Sequence, residues 1–144
     1  MVEIIPNSSV GPFSFNTPIA NYLGKFPPDN IGDYEPMTES TAYYYYGGDL
    51  IVYTDEQGII DTIGIYFDCY LKSRNLYRMP VKNFFEYFKI GGEETIVNDR
   101  LWVNEDEQQK VYEIATLGLQ LWVDDTGMIA TVIADIGMNS QRCS

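Results

Sequence analysis

The sequence predicts an α+β protein in which two halves, each a short helix followed by an antiparallel meander, form one mostly antiparallel sheet with the two helices packed on it. Three observations predict this fold. The chain holds two amphipathic helix patterns, several β-prone segments between turn residues, and an internal repeat that gives both halves the same element order. Its 144 residues fit one domain, and 45% hydrophobic residues supply a core.

The first helix pattern follows Thr17, a suitable N-cap residue, and Pro18, which suits the first helical position. Four apolar residues then recur at the i, i+3, i+4, i+7 spacing of one helix face: Ile19, Tyr22, Leu23 and Phe26. About three turns of helix are marginal alone, so we expect this face to pack on a sheet.

The second helix pattern begins at Pro80 and ends before Gly91 and Gly92, which supply a C-terminal stop. Its apolar face has the same spacing and consists of Val81, Phe84, Phe85 and Phe88. This helix is also short, so it too is expected to bury its apolar face against the β-rich remainder of the chain.

The β-prone segments form two groups. Residues 41–46 and 49–54 flank a two-residue turn at Gly47 and Gly48, and the turn before residues 59–67 ends with Gly58. The second group comprises residues 95–103, 110–116, 119–123 and 128–136, separated by polar or glycine-containing segments. Residues 27–40 contain three prolines and four acidic residues without a hydrophobic period, which predicts an irregular surface loop.

An internal repeat relates the two halves. Residues 18–23 match residues 80–85 in residue type at all positions but one, at an offset of 62, and residues 53–63 align with 122–132 at an offset of 69. Any two amphipathic helices and hairpins resemble one another, but the shared order and similar offsets favour a duplication. We therefore expect one domain, residues 1–144, with pseudo-repeats at about 9–68 and 78–137 that share a core.

The composition excludes several functions. With 9 basic and 21 acidic residues the net charge is −12, so the protein would repel nucleic acid, and no run of apolar residues is long enough to span a membrane. The absence of histidine excludes imidazole metal sites and histidine-based triads. Residues 1–68 hold one base and ten acids, against eight bases and eleven acids in residues 69–144, so the negative charge belongs mainly to the first half.

The remaining local features of the sequence do not indicate a catalytic or metal-binding site. Residues 1–7 lack the pattern of a secretory signal, so we expect a cytoplasmic protein in which Cys69 and Cys143 are free thiols. The paired carboxylates at residues 55–56 and 124–125 lie in predicted hairpin turns, and the basic cluster at residues 72–89 is explained by a solvated helix face. We therefore assign no catalytic residue, metal or cofactor. A carboxylate-dependent hydrolase with an aromatic cleft near Trp102 and Trp122 is a lesser alternative.

The order of helix and meander, twice over in an acidic chain, resembles the architecture of the β-lactamase inhibitory proteins. Residues 9–19, SVGPFSFNTPI, are similar to the strand, turn and helix entry that begins such repeats. In that family the halves form a curved sheet whose concave face grips an enzyme, so the resemblance implies a protein-binding scaffold. The chain differs in lacking a signal and paired cysteines. In size and acidity it resembles instead the immunity proteins of bacterial toxin systems, including contact-dependent growth inhibition, many of which neutralise nucleases.

These observations favour an immunity protein that neutralises a cognate toxin, most simply a nuclease, by one-to-one occlusion. A nuclease holds phosphates with basic groups, so an acidic surface can compete with its substrate. The predicted contact residues are the carboxylates Asp29, Asp33, Glu35, Glu39 and Asp49, with Tyr43 or Tyr45 as an aromatic anchor. The alternatives are an acidity that serves only solubility, and an adaptor or homodimer that pairs through an uncovered strand edge.

Overall fold

A computed structural model describes residues 2–92, 95–102 and 108–136, with the side chains of residues 98–102 and 108 outside this description. The first-half strands are β1 (Glu3–Ile5), β2 (Ser9–Val10), β3 (Phe13–Ser14), β4 (Asn30–Ile31), β5 (Thr41–Tyr45), β6 (Leu50–Thr54) and β7 (Ile60–Ile65). The second-half strands are β8 (Tyr70–Leu71), β9 (Arg74–Asn75), β10 (Thr95–Trp102), β11 (Gln108–Ile114), β12 (Leu119–Val123) and β13 (Ile129–Asp135). The helices are α1 (Ala20–Leu23) and α2 (Val81–Phe88).

These strands form two sheets. A small sheet has the order β3-β2-β1-β8-β9, with β1 and β8 parallel, and a large antiparallel sheet has the order β10-β11-β12-β13-β7-β6-β5-β4. The predicted α+β class, the mostly antiparallel pairing and the two helices are confirmed, but the prediction of a single sheet is wrong. Strands of the small sheet have only two or three residues each, too few for an alternating pattern to reveal them.

The core lies between the two sheets. Ile4, Val10 and Leu71 of the small sheet belong to the same buried cluster as Leu50 and Ile63 of the large sheet. A large sheet covered only by two short helices would leave much of its apolar face in water. Burying one such aliphatic side chain stabilises the fold by about 1.5–3 kcal/mol, so the small sheet is what completes the core.

Helix α1 is a single turn, shorter than the sequence predicts, and Thr17 is not its N-cap. The Thr17 hydroxyl donates instead to the Ser14 carbonyl oxygen at 2.5 Å, and Ile19 occupies the N-cap position without a side-chain cap. Pro27 and Pro28 lack the N–H groups that a longer helix would need. The predicted apolar face nevertheless meets the core, where Ile19 is buried and Tyr22 packs against it.

Helix α2 agrees more closely with the pattern. Pro80 is its N-cap, and Phe84 is fully buried at the centre of its apolar face. The helix ends at Lys89, which adopts a left-handed conformation with φ of 54°, ahead of the expected stop at Gly91 and Gly92. The Phe85 ring lies 5.4 Å from that of Tyr112, which places α2 against the same side of the large sheet as the core.

Two predicted connections differ in detail. Tyr45 pairs with Leu50, so the loop between β5 and β6 has four residues and contains a short 3₁₀ turn, Tyr46–Gly48, rather than the two-residue turn at Gly47 and Gly48. The segment 27–40 is not wholly irregular, because it contains β4, which pairs with β5 and forms one edge of the large sheet. The pattern missed β4 because two residues carry no period.

The two halves make the same hydrogen bonds at corresponding positions. Ile19 N–H donates to Gly58 O and Val81 N–H to Gly127 O, both at 2.9 Å. Each half also has one extra residue in its last strand, Asp61 opposite β6 and Ala130 opposite β12. The halves meet where β7 pairs with β13, last strand to last strand, a junction we call the seam. This correspondence supports the duplication hypothesis.

Neither helix in the described part of the chain has the length and apolar character needed to cross a bilayer. Cys69 is fully buried and unpaired, and Cys143 lies outside the described residues.

Candidate protein-binding surface

The five predicted carboxylates are all exposed, and they are distributed along one edge of the large sheet. Asp29 and Asp49 flank the loop between β5 and β6, where Asp29 Oδ2 accepts a hydrogen bond of 2.8 Å from Gly47 N–H. Glu35 and Glu39 lie at the other end of β5, where Glu35 and Ser40 pair through their backbones. The five residues of β5 separate these ends by about 13 Å, so the carboxylates line an edge rather than converge.

This edge has little free backbone. Strand β4 is two residues long, and the Ile31 N–H group is already bound to the side-chain oxygen of Asn30 at 2.9 Å. Asp33 lies two residues after β4 and, like Asp29 before the strand, is exposed. A second strand would therefore find few unpaired N–H groups here and negative charge on both sides.

The predicted aromatic anchors face the core rather than the solvent. Tyr45 is only 6% exposed, its hydroxyl donates to the Phe26 carbonyl oxygen at 2.9 Å, and its ring lies 5.0 Å from that of Phe13. Tyr43 is partly buried against the same core. This burial removes Tyr45 from the candidate surface. The tyrosine that points away from the core on this strand is Tyr44, between them.

Across β5, β6, β7, β13 and β12, one face of the large sheet has no other described element packed on it, whereas at β11 the same face is closed over Val111, which pairs with Trp122 and is only 1% exposed. In β6 and β12 alternate residues are buried and half-buried, and the buried set belongs to the core. The half-buried set faces the other way. We call this the uncovered face; its central residues are Tyr44, Tyr53, Thr62, Gly64, Tyr66, Gln120, Trp122, Thr131, Ile133 and Asp135.

Three tyrosines, Tyr44, Tyr53 and Tyr66, lie close together on the uncovered face. A Cβ at Gly64 would lie 3.4 Å from Tyr66 and 3.8 Å from Tyr53, so these rings rest against the glycine backbone. Burial and the neighbouring Tyr66 and Tyr44 raise the pKa of Tyr53 to about 12. Tyr53 is therefore neutral at physiological pH.

Trp122, on the second half of the same face, is also held in place. Its indole Nε1–H donates to Gln120 Oε1 at 3.3 Å, and Gln120 Nε2 donates to Glu113 Oε1 at 3.2 Å. Both meanders therefore contribute oriented aromatic side chains to the uncovered face. The sequence offered alternating strands, but alternation alone does not reveal which face a distant segment will cover.

A depression of about 370 Å³ lies over the seam between these aromatic groups. Asp61, the extra residue of β7, and Asp135 of β13 line it together with Tyr53 and Thr62. Burial raises the pKa of Asp61, and the negative charges of Asp135 and Asp55 raise it further. A partly buried carboxylate beside other carboxylates suits a hydrogen-bonded cation.

The paired acidic residues of the hairpin turns have a structural arrangement. Asp55 Oδ1 accepts hydrogen bonds from Gln57 and Ile59 N–H groups, and Asp124 Oδ1 accepts from those of Thr126 and Met128. These side chains therefore close the turns. Among the described residues, no group of three or more Cys, Asp or Glu side chains gathers as a metal ion would require.

Three described cationic side chains lie at α2, on the covered side of the large sheet. The Arg74 guanidinium stacks 3.8 Å from the centre of the Tyr87 ring on α2, and Lys82 and Lys89 are exposed on the same helix. By contrast, residues 26–71, which run from the end of the α1 region through β4 to β8, contain nine acids and no base. The first half of the large sheet is therefore strongly acidic.

No protein-family model matches the chain, and no curated protein or solved structure is significantly similar to it.

Proposed function

We propose that this chain is a bacterial immunity protein that acts in the cytoplasm. It binds one cationic toxin domain, most simply a nuclease, in a one-to-one complex and blocks the toxin by covering its substrate-binding surface. The chain itself carries out no reaction.

One observation carries the proposal: nine acids and no base in residues 26–71, which supply half of the large sheet. A nuclease holds phosphate groups with lysine and arginine side chains. A rigid surface that presents carboxylates to those side chains competes with the nucleic acid and attracts the toxin over long range. The carboxylates of the β4 edge lie at the rim of this half and are expected to act mainly on the association rate.

The same edge favours a different partner over a second copy of the chain. Two β4 edges brought together would place Asp29 and Asp33 of one copy against acids of the other, and the Ile31 N–H group is already bonded. Like charges directly opposite one another oppose such pairing. A cationic protein meets no such opposition.

Co-expression tests the proposal. Catalytic domains of several cationic nuclease toxins would be induced in bacteria with this chain, with each toxin's own immunity protein as the positive control. We expect the chain to restore growth against at least one domain and to bind that purified domain one to one. The association rate should fall steeply as the salt concentration rises from about 50 to about 500 mM, because salt screens the attraction between opposite charges.

A variant with neutral amides at the edge, D29N/D33N/E35Q/E39Q/D49N, should bind more slowly with a nearly unchanged dissociation rate. Failure to bind or protect against any cationic domain of the panel, or binding that is indifferent to salt, would argue against the proposal.

A further inference from the structure

We propose that the uncovered face of the large sheet, centred on the seam between β7 and β13, is where a cationic segment of the partner protein lies. This inference rests on the proposed function for the partner being cationic, and it names the surface that function would use. The β4 edge then becomes the rim of the interface.

Among the described residues, no element covers the central part of this face. The opposite face of β6, β7, β12 and β13 is closed by the small sheet and the helices, and its residues are buried. On the uncovered face the corresponding side chains stay partly exposed, and they include Tyr44, Tyr53, Trp122 and Ile133. Partly exposed tyrosine and tryptophan side chains on a rigid sheet are typical of an interaction site.

The strands of this face also carry negative charge. Strands β5, β6, β7, β12 and β13 contain no lysine or arginine, whereas Asp61 and Asp135 line the depression at the seam. The ionised form of Asp61 is disfavoured by its burial and its acidic neighbours, and a bound cation would remove that penalty. The face is therefore complementary to lysine and arginine side chains and opposes anionic ligands.

The aromatic groups of this face are partly oriented before a partner binds. The Tyr53 and Tyr66 rings rest against the Gly64 backbone, and the Trp122 indole donates to Gln120. Arginine stacks on tyrosine and tryptophan rings, and fixed rings lose little entropy when they bind. Aromatic rings and carboxylates together thus favour an arginine-bearing segment.

A second copy of the chain is a poor occupant of this face. Two uncovered faces in contact would oppose Asp61 and Asp135 of one copy to the same carboxylates of the other, in a molecule with net charge −12. Self-association is therefore a contrary outcome of the test.

The experiment uses the full ¹⁵N-labelled chain and a nitroxide-labelled peptide, Ac-Cys-Gly-Arg-Gly-Arg-Gly-NH2, at low salt. We expect the paramagnetic broadening to be strongest at backbone amides of Tyr53, Thr62 and Ile133. A peptide with glutamate in place of arginine should cause none. Broadening centred on β4 and α1, broadening spread evenly, or no broadening at all would overturn the inference, as would self-association through this face.

Two matched pairs of variants separate a specific site from general attraction. D61N and D29N each remove one negative charge, the first at the seam and the second at the edge. T131K and Q57K each add one positive charge, the first on the face and the second in the turn between β6 and β7. We expect D61N and T131K to weaken peptide binding by about three- to tenfold, and D29N and Q57K to change it by less than about twofold.

Equal effects within each pair would refute the assignment of the face. This outcome is distinct from failure of the proposed function, because the peptide experiment needs no toxin. A chain that binds the arginine peptide at the seam but protects against no toxin would retain the surface and lose the immunity role. If the chain protects against a toxin but D61N and D29N weaken peptide binding equally, the immunity role would stand and the assignment of the binding surface would fall.

Discussion

Gly118 provides a quantitative test of how the two sheets are joined. It lies in the turn between β11 and β12 with φ of 64°, and a Cβ there would lie 2.5 Å from Asn7 Oδ1. Asn7 follows β1 and donates from Nδ2 to the Thr116 carbonyl oxygen at 2.9 Å. The Gly118→Ala substitution would therefore force the Asn7 side chain away and break a bond that connects the small sheet to the large one.

The expected cost has two parts. An alanine in the left-handed region costs about 1 kcal/mol. Loss of the Asn7 hydrogen bond costs about 1 kcal/mol more. G118A should therefore lower the free energy of unfolding by about 2 kcal/mol. The matched control is G58A, because Gly58 has φ of 80° but no atom within 4 Å of the added Cβ; it should cost about 1 kcal/mol.

Urea denaturation followed by tryptophan fluorescence measures these differences. In an Asn7→Gly background the clash and the hydrogen bond are both absent, so G118A should then cost only about 1 kcal/mol. The two substitutions are therefore non-additive by about 1 kcal/mol. Equal costs for G118A and G58A, or strictly additive effects with N7G, would refute the contact between the sheets.

Three further predictions concern titratable groups. Burial raises the pKa of Asp124, but hydrogen bonds from Thr126 and Met128 and the Arg78 charge bring it below its ordinary value. Its stabilising effect is thus present above the unfolded pKa and lost as pH falls, and D124A should cost about 1 kcal/mol at pH 7 and less at pH 3, measured by urea denaturation; equal costs would contradict this. For Asp61 the raised pKa penalises the ionised form, so D61N should stabilise the protein at pH 7 and lose that advantage in acid. A D61N variant no more stable than wild type at pH 7 would be inconsistent with the burial of this carboxylate. Burial raises the pKa of Cys69 to about 12, so in a C143S background a thiol reagent should label the chain only after unfolding; rapid labelling of the native protein would show that Cys69 is accessible.

The elements with a clear period were predictable from the sequence. Alternating residues in β6 and β12 and the spaced phenylalanines of α2 each fix one buried face within a few residues of chain. The turn residues Asp55 and Gly58 also carry local information, because a carboxylate acceptor and a positive φ are properties of the turn itself. These features agree with the structure.

Features that depend on distant residues were not predictable. The small sheet combines strands from residues 3–14 with strands from residues 70–75, and none has a period of its own. Tyr44 and Tyr45 are chemically identical, and the contacts of Tyr45 with the distant residues Phe13 and Phe26 become visible only in the folded chain. The role of Gly64 beneath two tyrosines likewise becomes visible only when β6 and β7 are paired.

The short β4 edge has a consequence for the behaviour of the protein at high concentration. A long edge strand with unpaired backbone groups would act as a template for sheets that grow from molecule to molecule, as in amyloid. The edge strand β4 has only two residues, its Ile31 N–H group is bonded to the Asn30 side chain, and two prolines precede it. Growth of a fibre from this end of the sheet is thereby discouraged, even though the chain is rich in β-forming residues.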